Sequence, residues 1–189
     1  MQHMQLNKER VLLDAEGLSR ALRRMSVEIV EHAQGMENLI LVGVHTGGVH
    51  VARRIQESIK ATEGASPPMG MIDITLYRDD AFLGLPNPII GETRIPGDAI
   101  TGKTVALIDD VLFTGRTVRA ALNALMDFGR PSRILLAVVV DRGQRELPVQ
   151  ADVVGVSVTT GPDHSVKVEL SETGGADEVS LYKRVGGAS

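Results

Sequence analysis

Cysteine is absent from all 189 residues. That absence excludes a disulfide scaffold, a thiolate zinc site and a cysteine nucleophile, and it fits a reducing compartment. Long apolar runs are also missing. The first thirty residues are interrupted by charges throughout, and no stretch approaches the roughly 20 apolar residues of a membrane helix. A cytoplasmic protein, neither secreted nor membrane-spanning, is the expectation. An excess of positive charge is lacking too. A formal net charge of −4 gives no global basic field, so indiscriminate binding to nucleic acid or anionic membrane is not implied, although a local basic patch is compatible with it. There is no internal repeat and no low-complexity tract. At this length, with 43% hydrophobic content, one well-buried core in a single domain over 1–189 is expected, with flexible tails at 1–10 and 185–189.

What is present alternates between two periodicities. DAEGLSRALRRMSVEIVEHA places Leu18, Leu22, Met25 and Ile29 along one face of a helix. LILVGV (39–44) is a short unbroken apolar run, as a strand buried on both faces should be. VHVARRIQESIKA predicts a second helix, and MIDITLYR, TVALIDDVL and ILLAVVVDR predict three further strands. Between the last two, TVRAALNALMDFG carries Val118, Ala121, Leu122 and Leu125 on one face and is closed by Gly129 and Pro131. Strands alternating with helices predict a mostly parallel sheet with helices on both faces. In such sheets ligands collect beyond the carboxyl ends of the strands. Three polar strand ends meet that description: His45-Thr46-Gly47-Gly48, Asp109-Asp110 and Asp141-Arg142-Gly143. The segment 81–98, rich in proline and glycine, reads as a long loop.

Two stretches compete as phosphate-binding loops. GDAITGKT matches G-x-x-x-x-G-K-[ST] with Gly97, Gly102, Lys103 and Thr104, the pattern of P-loop NTPases. A P-loop requires a strand before it and a helix after it, so that N–H groups and the helix dipole point at the phosphates. Here a strand follows, and the order is inverted. DDVLFTGRT has the required order: an apolar strand, two carboxylates, a small-residue turn, and a helix starting near Thr117. The helix dipole contributes only about 0.3–1 kcal/mol, so direct hydrogen bonds from the Thr114–Thr117 turn must carry most of the phosphate binding. Asp109 and Asp110 cannot favour a phosphate electrostatically, which leaves sugar hydroxyls or the hydration shell of magnesium as their partners. Together these features describe a site for a phosphorylated ribose.

VALIDDVLFTGRT resembles the phosphoribosyl-pyrophosphate (PRPP) signature of type I phosphoribosyltransferases. DITLYRDD, GRTVRAAL, GRPSRILLAVVVDRG and RELP narrow the resemblance to the PyrR family, pyrimidine operon attenuators that are also uracil phosphoribosyltransferases, over about residues 12–184. The resemblance implies a type I phosphoribosyltransferase-like α/β fold with a flexible hood loop. It implies conversion of uracil and PRPP to UMP and pyrophosphate, with magnesium entering on PRPP and no direct protein metal site. Asp109, Asp110, Arg78, Asp141 and Arg142 are then the expected catalytic set, magnesium lying near the three aspartates. Val111, Leu112, Phe113, Thr114, Gly115, Arg116 and Thr117 would hold the ribose 5′-phosphate, and Thr46, Gly47 and Gly48 the pyrophosphate. Asp79, Asp80 and Arg94 would belong to the hood. A homodimer or higher homo-oligomer and a pyrimidine operon leader mRNA are the implied partners, with Arg20, Arg23, Arg24 and Arg145 as candidate RNA contacts.

The sequence departs from that family at instructive places. Gly47 stands where arginine is usual, removing a cation from the pyrophosphate loop while leaving backbone donors in place. Phe113 replaces a commoner tyrosine. Val27, His32, Gln150 and Val156 occupy positions where the RNA face is expected to carry His, Arg or Lys, and fewer cations weaken phosphate contacts. A regulator-only or enzyme-only member is the alternative. No histidine is assigned a catalytic role, and no general base is obvious.

Overall fold

A computed structural model describes residues 5–78, 91–96 and 100–185. Eight strands and three α-helices follow one another as β1 (Gln5–Leu13), α1 (Ala15–His32), β2 (Leu39–Val44), α2 (Gly47–Glu63), β3 (Met69–Ile72), β4 (Thr104–Leu112), α3 (Arg116–Met126), β5 (Arg133–Asp141), β6 (Val153–Ser157), β7 (His164–Glu169) and β8 (Glu178–Val185). Five of the strands form a parallel sheet in the order β3-β2-β4-β5-β6. The other three form an antiparallel sheet, β1-β8-β7.

The parallel sheet is apolar on both faces, which is why its strands read as unbroken hydrophobic runs. Leu39, Leu41, Ala106 and Ile108 point to one side, where they meet Leu18, Leu22, Met25 and Ile29 of α1 and Val51 and Ile55 of α2. Ile40, Val42, Val105 and Leu107 point to the other and pack on Val118, Ala121 and Leu125 of α3. The predicted faces of α1 and α3 are therefore the buried ones. Asp14 starts α1 by accepting a hydrogen bond from the Gly17 N–H (2.8 Å).

Two expectations are corrected. MIDITLYR is a strand only to Ile72; the Asp73 carboxylate then accepts the Thr75 N–H (2.6 Å) and turns the chain into a 3₁₀ turn at Thr75–Tyr77. Residues 5–10, expected in a flexible tail, belong to β1, which pairs along β8 and is tied to it by the Lys8–Glu178 ion pair. The antiparallel sheet adds Val166, Leu170, Val179 and Leu181 to the α1–α2 core. A three-way ion cluster braces it: Arg54 of α2 grips Glu172 and Asp177, whose carboxyls are held down to about 2, chiefly by hydrogen bonds from that guanidinium. Among the described residues, no helix is long and apolar enough to cross a membrane.

Candidate active site at the carboxyl end of the parallel sheet

β2, β4 and β5 end side by side, so the three polar strand ends named from the sequence converge at one edge. At the end of β4 lies a cavity of about 220 Å³ lined by Arg78 and the unbroken run from Val111 to Val118. That is below the ~300–1,000 Å³ of a pocket that encloses a whole drug-sized ligand, and it suits one phosphorylated end of a larger substrate. Gly115 occupies the left-handed region (φ 92°) at the N-cap of α3 and offers no side-chain cap. A helix start of this kind leaves its first N–H groups for a ligand. The Arg116 N–H makes a long contact of 3.4 Å to Thr114 Oγ1.

The turn is held from behind by the segment that follows β5. The Thr114 carbonyl accepts the N–H groups of Glu146 (2.9 Å) and Leu147 (3.1 Å). Arg116 Nε donates to Glu146 (2.6 Å), so the guanidinium expected at the phosphate is paired with a carboxylate. Arg145, expected on an RNA face, points inward instead: it donates to Asp141 (2.6 Å) and to the carbonyls of Phe113, Gly143 and Val149. Its donors brace the phosphate turn against the end of β5.

The carboxylates behave differently from one another. Asp109 is 6% exposed, and burial, followed by the neighbouring Asp110 charge, pushes its carboxyl well above the ordinary value. Its protonated form is favoured by that environment, and its Oδ1 accepts the Asp110 N–H (2.9 Å). Asp110 lies over the Thr46-Gly47-Gly48 turn, so close to Gly47 that a Cβ there would collide with its carboxylate. A Cβ on Gly48 would likewise run into the Ile108 carbonyl oxygen. Two glycines thus let the start of α2 approach β4 and bring Thr46, Gly47 and Gly48 beside Asp109 and Asp110; the peptide before Thr46 is cis.

Arg142 does not face the cavity. It is 7% exposed, stacks 3.8 Å over the Phe113 ring, and donates to Thr160 Oγ1 (3.3 Å) and the His164 carbonyl (3.0 Å). Burial, then Arg184, lowers its pKa. Its contribution is to hold the Phe113 wall of the cavity. Arg94 pairs with Glu92 and bridges through its backbone to Met71, outside the cavity. Asp79, Asp80 and most of the 81–98 loop, together with Gly97, lie outside the described residues.

Comparison with known proteins agrees with this geometry. The phosphoribosyl transferase domain family matches residues 11–171. The chain is 53% identical to a bifunctional PyrR protein of Thermus thermophilus over 175 residues, covering 93% of this chain and 96% of that one. It is 50% identical to a bifunctional PyrR protein of Bacillus cereus over 181 residues, covering 95% and 100%. The chain belongs to the PyrR family. Family members are uracil phosphoribosyltransferases and regulators of pyrimidine operon transcription. Solved structures share the fold at low identity: a hypoxanthine-guanine phosphoribosyltransferase from Bacillus anthracis has a TM-score of 0.69 at 16% identity, covering 95% of this chain and 99% of that one. The hypoxanthine phosphoribosyltransferase of Trypanosoma cruzi gives 0.69 at 16%, covering 94% and 98%.

Sequence reading did not single out Glu146, Thr160, Asp73, Tyr77, Arg119 and Asp127, which make hydrogen bonds to the predicted site residues or to their chain neighbours. Asp73-Ile74-Thr75 does carry a local sign, an aspartate two residues before the N–H it accepts. The others act across 18 to 50 residues of chain, and no spacing rule reveals them.

Proposed function

We propose that the protein, as one phosphoribosyltransferase domain of a cytoplasmic homo-oligomer, binds the 5′-phosphate of PRPP in the Arg78–Val118 cavity and transfers the ribose to uracil. The observation that carries this reading is the lining itself: every residue of the Val111–Thr117 signature contributes to one cavity, joined by Arg78 from another part of the chain. Thr114 to Thr117 hold the phosphate, Arg116 exchanging Glu146 for it. Asp109 and Asp110 reach the ribose hydroxyls. Backbone N–H groups of Gly47 and Gly48 at the start of α2 receive the departing pyrophosphate.

The donor set fits a magnesium ion that arrives on PRPP. Among the described residues no three carboxylates or histidines form a metal cage, and magnesium needs only one or two carboxylates besides substrate phosphates and water. Asp110 is the available carboxylate, since both oxygens of Asp141 accept hydrogen bonds from Gly143 and Arg145. When bound, magnesium offsets the charge of the leaving pyrophosphate. The protein's own share is to fix C1 between uracil and pyrophosphate while the C1–O bond breaks and the C1–N bond forms, and to shield the electron-poor ribose from water.

The regulatory side rests on thinner ground in this chain. Arg20 pairs with Glu16, Arg24 with Glu28 and the Val154 and Gly155 carbonyls, and Arg145 is built into the site. Arg23, beside an open groove between α1 and α2, is the remaining candidate for a leader mRNA phosphate. We infer an RNA affinity that falls with salt by few counterions.

Incubating the purified protein with PRPP, magnesium and uracil should yield UMP, with hypoxanthine giving no nucleotide. Nucleotide from hypoxanthine, or none from uracil while PRPP binds, would overturn the assignment.

A further inference from the structure

Arg78 reaches the phosphate cavity from a segment whose two ends are pinned. Asp73 accepts the Thr75 N–H on one side and the Gly91 N–H on the other, and its own N–H donates to Thr93 Oγ1 (2.9 Å). Burial pushes the Asp73 carboxyl up, but the hydrogen bonds from Thr75 and Gly91, with His45 nearby, outweigh it and leave the group below its ordinary value. Met71 and Arg94 exchange both backbone hydrogen bonds (2.9 Å each). These contacts close the stem on itself. None of them sets where the stem sits relative to α3, the helix that begins at the cavity.

Two other contacts do. The Tyr77 hydroxyl donates to the Asp127 carboxylate, just past the end of α3. Arg119, on the first turn of α3, donates to the Tyr77 carbonyl (3.1 Å). Tyr77 therefore touches α3 near both of its ends, through its side chain and its backbone, and the next residue is Arg78. The 3₁₀ turn at Thr75–Tyr77 has no buried residue, and Leu76 within it is 56% exposed. Tyr77 packs, partly buried, on the apolar cluster that includes Val118, Ala121 and Leu125 of α3, and the two hydrogen bonds fix its place and direction there.

We infer that Tyr77, Asp127 and Arg119 are positioning residues for Arg78, fixing its guanidinium at the phosphate cavity. The inference rests on the reading that the cavity takes the PRPP phosphate. Tyr77→Phe should raise KM for PRPP about fivefold with kcat changed less than about twofold, the size expected from losing one hydrogen bond to a charged group near the surface. Asp127→Ala should match it, and Asp127→Asn, which keeps an acceptor oxygen, should restore most of the loss.

The deciding measurement is a double-mutant cycle with Arg78→Ala in the PRPP–uracil assay, with thermal melting of each variant alongside. In the Arg78→Ala background Tyr77→Phe should add nothing to KM, because the two act through one contact. Additive effects, or a lower Tm with an unchanged KM in Tyr77→Phe, would overturn the positioning role alone. An unchanged PRPP KM in Arg78→Ala itself would overturn both this role and the cavity assignment.

Discussion

The two ends of β4 carry sequences that look alike as phosphate loops and behave oppositely. At the amino end Gly102 turns at φ 74°, Lys103 donates its ammonium to Asn38 (2.7 Å), and Thr104 enters the strand. A strand follows this loop, not a helix. At the carboxyl end the chain leaves the strand, turns at Gly115 and starts α3 over a cavity. The difference lies in chain direction, not composition. A parallel strand delivers its following loop to the edge where helices begin, and its preceding loop to the edge where they end.

Substitutions at each end break or sharpen that contrast. The largest effect is expected for Asp110→Asn, which should lower kcat/KM for UMP formation by about 100-fold or more, equal to about 2.7 kcal/mol of transition-state stabilisation, in steady-state kinetics. Gly48→Ala should follow: the added methyl meets the backbone carbonyl of Ile108, which cannot swing aside. A loss of about 1–3 kcal/mol in denaturant unfolding is expected, with activity falling as α2 is pushed from Asp109.

Asp109→Asn is predicted to separate stability from function. Its folded pKa is raised by burial and by Asp110, so the protonated group favours folding below its unfolded pKa of about 3.9, and that contribution is lost as pH rises through the folded value. At pH 8 the neutral amide should raise the Tm of the free protein by about 2–4 °C, about 1 kcal/mol, with the gain vanishing near pH 4, while UMP formation declines. Lys103→Ala should change least, with activity unaltered and stability within about 0.5 kcal/mol.

The parallel sheet and its site were legible because burial on both faces forces unbroken apolar strands, and because Asp109, Asp110 and the Thr114–Thr117 turn are contiguous. The antiparallel sheet was not. β7 and β8 mix Lys167, Glu169, Ser180 and Lys183 with a few core residues, and β1 carries a run of exposed polar side chains, so neither periodicity stands out. The inward contacts of Arg142 and Arg145 were not legible, for a related reason. An arginine after a strand reads as a ligand contact, yet the nearby carbonyls of Gly143 and Val149, and those of Phe113 and His164 brought close by folding, take those donors.

The most direct test of the central claim is calorimetric binding of UMP, with uridine as the phosphate-free control, to the wild type, Thr114→Ala, Thr117→Ala and Lys103→Ala. If the phosphate sits at the carboxyl end of β4, the wild type prefers UMP, both threonine variants lose much of that preference, and Lys103→Ala keeps it. Loss of UMP affinity in Lys103→Ala with both threonine variants unaffected would contradict the account.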